Sequence, residues 1–138
     1  MNEIVVGIDK SPTARKAAER AAQVANQANL PLHLVSAVPS NKQTVVKGGS
    51  EQWHFDSFDL AESALVSLVK SIGAKTPVTT AAVKGDPAAA LVDEARRLNA
   101  SVIVVGNKRV QGISRVLGSI ASDVVKTAPC DVLIVHTT

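Results

Sequence analysis

The chain has 138 residues, 46% of them apolar and 20% charged, with a net charge of +3. That composition suits one domain over residues 1–138 around a single core, and the small charge and scarce aromatics (Trp53, Phe55, Phe58) argue against a nucleic-acid surface. The lone cysteine, Cys130, rules out an internal disulfide; with no apolar leader and no run near the roughly 18 residues of a membrane span, a cytoplasmic protein free of membrane contact is expected.

Ile4-Val5-Val6-Gly7-Ile8 reads as a buried strand, closed by Asp9-Lys10-Ser11-Pro12. A helix is expected next, with Ser11 as cap and Pro12 in its first position. Ala14, Ala17, Ala18, Ala21, Ala25 and Ala28 form a small-residue face on it, and Asn29 is its stop. Pro31 to Val38 is a second strand. From Pro39 to about Asp56 neither period holds, and a structureless stretch that long reads as a flap or as disorder. Helical spacing resumes at Phe58, Ala61, Leu65, Leu68 and Ile72 and ends at Gly73, before a weakly alternating third strand over Val78 to Val83. Asp86 and Pro87 then open a helix with Leu91, Val92, Ala95 and Leu98 on its inner face.

The stretch from Ser101 to Ser119 carries most of the functional information. Val102-Ile103-Val104-Val105 is a fourth strand that stops at Gly106; a loop with Gly112, Gly118 and the cations Lys108, Arg109 and Arg115 leads to a helix from Ser119 to Thr127. Unpaired N–H groups at a helix start, the helix dipole and glycines that let the backbone come close suit an anion such as phosphate. The spacing fits neither a Walker loop nor a dinucleotide fingerprint, which leaves the ligand open. Pro129 ends the helix, and Asp131 to His136 is the last strand.

Alternation of strand and helix predicts an α/β, Rossmann-like, doubly wound fold: a five-stranded parallel sheet in the order 3-2-1-4-5 with helices on both faces. Ligands of such sheets sit where strand order reverses, here between strands one and four, so Asp9 and Gly106 are expected to face one cleft.

These residues together resemble the universal stress protein family over essentially the whole chain. The resemblance is carried by Ile4 to Ser11, Gly85-Asp86-Pro87, Gly106 to Ser119, and Ala128-Pro129-Cys130-Asp131-Val132-Leu133-Ile134-Val135. It implies a regulatory homodimer joined through the last strand and an adenine nucleotide ligand, ATP or AMP, with or without Mg. Nucleotide-binding members carry a G-x2-G-x9-G-(S/T) loop. Position by position, the resemblance puts ribose at Gly106, phosphate at Gly118 and Ser119, the adenosine end at Asp9 and adenine at Val38. Three departures stand out: Arg109 replaces the second glycine, eight rather than nine residues separate it from Gly118, and the usual Asp-Gly-Ser reads Asp9-Lys10-Ser11. A non-glycine residue in a left-handed conformation costs about 1 kcal/mol or more. Lys108 and Arg109 therefore either supply charged donors to phosphate or fill the pocket and exclude triphosphate. The alternative function is a family member that binds no nucleotide and works as a dimeric interaction module.

Simpler roles compete at several positions. Asp9 is also suited to closing an Asx turn, and Gly118-Ser119 to capping the last helix. Cys130 reads as a small packed residue, and His33, His54 and His136 lack the spacing of a metal site. No catalytic constellation can be assembled, so an enzyme is not expected, although slow ATP hydrolysis is compatible with such a site.

Overall fold

The computed structural model describes residues 2–38, 43–48, 51–107 and 117–137, with the backbone alone over 43–48 and 51–57. Strand β1 (Ile4–Gly7) leads into α1 (Ala14–Ala28) and β2 (Leu32–Val38). A hairpin of β3 (Gln43–Gly48) and β4 (Glu51–Asp56) follows, then α2 (Ser57–Val69), β5 (Val78–Lys84), α3 (Pro87–Leu98), β6 (Val102–Asn107), α4 (Ser119–Thr127) and β7 (Asp131–His136).

The central sheet has the order β5-β2-β1-β6-β7, and every neighbouring pair in it is parallel. Counting only its own strands, this is the expected 3-2-1-4-5. Alternation along β1 divides the core between the two faces. Ile4 and Val6 join Leu32, Leu34 and Val104 under α1 and α2; Val5 joins Val35, Ile103 and Val105 under α3 and α4. The alanine face of α1 lets its backbone lie close to the sheet, with Ala17, Ala18, Ala21, Ala22 and Ala25 all buried. The one buried histidine of the sheet, His33 in β2, is fully engaged: Nδ1 is 2.6 Å from Thr79 Oγ1 and Nε2 is 2.8 Å from Glu94 Oε2.

Three expectations are corrected. The stretch 39–56 is not irregular where it is described, because β3 and β4 pair antiparallel from Gln43↔Asp56 to Gly48↔Glu51. The β-formers Thr44, Val45, Val46, Trp53 and Phe55, with Gly48-Gly49 between them, are the local cause. Helix α1 starts at Ala14 rather than Pro12. Its first residues are held out of the helix in a turn, in which Ser11 Oγ accepts from Thr13 N–H at 3.1 Å and Ser11 O accepts from Ala14 N–H at 3.1 Å. Helix α2 ends at Val69, with Ser71 N–H donating to Leu68 O, and Gly73 (φ 74°) lies beyond it in the left-handed region.

Candidate functional site

Strand order reverses between β1 and β6, since β1 is followed by its neighbour on one side, β2, and β6 by its neighbour on the other, β7. In such a sheet the crevice that takes a ligand lies beyond the carboxyl ends of these two strands. Each wall comes close because a glycine supplies it. A Cβ on Gly7 would stand 2.9 Å from Leu91 Cδ2, and one on Gly106 would stand 2.9 Å from Thr137 Cγ2 and 3.4 Å from Ala17 Cβ.

Beyond β1 the chain folds back on itself. Asp9 Oδ1 accepts from Ser11 N–H at 2.8 Å, an Asx turn, and the Ser11 and Thr13 hydroxyls are 2.6 Å apart. That turn holds Asp9 at the meeting point of three cavities. The first, about 290 Å³, lies between Gly7, Val35, Ser36 and Ala37 on one side and Leu91, Val105, Gly106 and Ile120 on the other. The second, about 300 Å³, runs from Asp9 and Thr13 past Gly106 and Asn107 to Gly118, Ser119, Ile120 and Ala121. The third, about 330 Å³, lies between Asp9, Lys10, Ser36 to Val38 and the α2 residues Leu60, Ala61, Ala64 and Leu65.

Of the residues singled out in the sequence, Asp9 and Gly106 share the first two cavities, and Gly118 and Ser119 join them in the second. Val38 lines the third, away from Gly106; its carbonyl accepts from Gly85 N–H at 3.0 Å. Lys108 and Arg109 lie outside the described residues, as does the loop on to Val116. All three cavities are lined mostly by apolar surface; what sets the second apart is that it ends on the start of α4, where N–H groups not used in the helical ladder and the helix dipole suit an anion.

Sequence reasoning passed over Asn107 and Thr137, both nearly fully buried in the wall of the second cavity. Asn107 Oδ1 accepts from Gly118 N–H at 2.7 Å, and Asn107 O accepts from Thr137 N–H at 3.2 Å. A polar residue directly after Gly106, closing an apolar strand, was the available signal. Cys130 is half-buried, and burial, reinforced by the Asp131 charge, pushes its thiol up, which disfavours the reactive thiolate. Among the described residues no group of three or more His, Cys, Asp or Glu could hold a metal, and no helix is long and apolar enough to cross a membrane.

A family model for the universal stress protein family matches residues 1–136. A universal stress protein of Mycobacterium tuberculosis strain H37Rv is 34% identical over 149 residues, covering 98% of this chain and 96% of that protein. A putative universal stress protein of Staphylococcus aureus strain USA300 is 29% identical over 144 residues, covering 97% and 83%. Among solved structures, a universal stress protein in complex with cAMP superposes with a TM-score of 0.74 at 30% identity, covering 99% of this chain and 98% of that one. One from Archaeoglobus fulgidus in complex with dAMP gives a TM-score of 0.65 at 25% identity, covering 97% of each chain.

Proposed function

The chain belongs to the universal stress protein family, and from that premise we propose that it binds an adenine nucleotide in the cleft between β1 and β6 and acts as a regulatory homodimer. The observation that carries this reading is the position of Asp9, common to an apolar cavity and to one that ends on the start of α4. An adenosine moiety needs an apolar slot beside a hydrogen-bond acceptor, and its phosphate needs donors one sugar away. The cAMP and dAMP carried by two solved relatives are ligands of this shape.

In this assignment the Asp9 carboxylate accepts from hydroxyls or nitrogens of the adenosine part, and the backbone at Val38 meets the base. Gly106 lets the ribose lie against the end of β6, and Gly118 and Ser119 receive phosphate. Lys108 and Arg109 add positive charge beside the phosphates in place of the backbone approach that a second glycine would permit. The protein acts as one domain in the cytoplasm, and its role is regulatory rather than catalytic: occupancy of the cleft shifts the conformation or assembly of the dimer.

Thermal unfolding of the purified chain with ATP, ADP, AMP and cyclic AMP tests the reading, because a ligand that binds only the folded state raises the melting temperature with its concentration. At least one of the four is expected to do so. No shift with any of them up to millimolar concentration overturns the assignment.

A further inference from the structure

The N–H of Gly118 can only donate, so the group of Asn107 that lies 2.7 Å from it is the carboxamide oxygen. This bond closes the chain from Asn107 to Gly118 at the wall of the second cavity. Asn107 is itself fixed from behind: its side chain is buried, and its carbonyl accepts from Thr137 N–H at 3.2 Å. The fit at the other end is tight, because a Cβ on Gly118 would come within 3.3 Å of Asn107 Oδ1. The ladder of α4 begins with Ser122 N–H donating to Gly118 O at 2.9 Å. With Gly118 N–H held by Asn107, the N–H groups of Ser119, Ile120 and Ala121 stand ahead of that ladder, and all three residues line the same cavity.

Resting on the nucleotide reading above, we propose that Asn107 is the positioning residue for the phosphate end of the ligand. By holding Gly118 N–H it sets the start of α4 so that one phosphoryl group is received by the amides of Ser119 to Ala121. Asparagine serves here because it provides the acceptor without a charge. An aspartate keeps the acceptor and the shape but places a negative charge beside the bound anion.

Adenosine and AMP, titrated into the full-length wild-type chain and into the Asn107→Asp and Asn107→Ala variants, separate these effects, with the Gly118 amide proton followed by NMR. Asn107→Asp is expected to keep the hydrogen-bonded Gly118 shift and to weaken AMP about tenfold, leaving adenosine within about twofold. Asn107→Ala is expected to move the Gly118 proton upfield and again to weaken AMP selectively. Equal losses for adenosine and AMP in both variants, or AMP binding unchanged in both, overturn the proposal. A wild-type chain that binds neither probe overturns the proposal, and one that also binds none of ATP, ADP and cyclic AMP overturns the nucleotide reading itself. If Asn107→Ala fails to fold, the AMP-to-adenosine ratio of Asn107→Asp decides alone.

Discussion

Gly106 is the residue at which tight packing meets the candidate cleft. The place of its missing side chain is taken by Thr137 Cγ2 and Ala17 Cβ, both on well-buried residues. Gly106→Ala is therefore expected to overpack the site, costing about 1–3 kcal/mol in chemical denaturation; an unchanged midpoint would show that the tail beyond β7 yields freely. Away from the cleft, Glu94 joins His33 to Arg97, with Arg97 Nε 2.9 Å from Glu94 Oε1. The Arg97 hydrogen bond is the main cause that holds the Glu94 carboxyl below its ordinary value of 4.5, burial opposes it, and the His33 hydrogen bond adds to the lowering. A carboxyl whose folded pKa is depressed stabilises the protein above its unfolded pKa, and the effect is lost as pH falls through the folded value. Glu94→Gln should thus be less stable than wild type by about 1–3 kcal/mol at neutral pH, with the gap closing as pH falls through the lowered folded value. A gap that persists undiminished in acid would contradict this. Asp9 and Gly106 were legible in the sequence because each ends an apolar run; Asn107 was not, because its meaning depends on Gly118, eleven residues away, coming within hydrogen-bond distance.

At the scale of elements, Asn29 marked the end of α1 and Asp86 the start of α3, whereas Ser11 and Pro12 misplaced the start of α1 and Gly73 the end of α2. Helices α1 and α3 both stop on an asparagine in the left-handed region, Asn29 (φ 56°) and Asn99 (φ 53°). In each the following residue reaches back, Leu30 N–H to Ala25 O at 3.0 Å and Ala100 N–H to Ala95 O at 2.9 Å. Asn99→Ala is expected to cost about 1 kcal/mol, whereas Asn99→Gly should be close to neutral. Thermal melts of the pair check this, and equal destabilisation by both would mean that the Asn99 side chain rather than its backbone angle matters. Asp86 caps α3 as its position before Pro87 implies, accepting from Ala89 N–H at 3.0 Å. The hairpin of β3 and β4 was missed for a physical reason. A two-stranded ribbon outside the main sheet has no obligatory buried face, so the period-2 alternation that reveals a half-buried strand need not be present. Its remaining signals were β-forming residues and a glycine pair.

At the scale of the molecule, strand order followed from alternation of strand and helix, because right-handed crossovers leave few topologies open. That order places β7 at one edge of the sheet, paired only with β6. The run Val132-Leu133-Ile134-Val135 is half-buried there, and an apolar edge strand left open invites pairing. Antiparallel association of β7 with a second copy is expected to give a dimer in size exclusion with light scattering; a monomer at micromolar concentration would count against it. The position of Asp9 is what joins the edges of the cleft into one candidate site, and it depends on β1 and β6 being neighbours although the chain separates them by about a hundred residues. Calorimetric titration of AMP into wild type and into Asp9→Ala tests that claim most directly. One site per chain, weakened by tenfold or more in the variant, is the predicted result. Wild-type affinity retained by Asp9→Ala, or no binding by the wild-type chain, would contradict it.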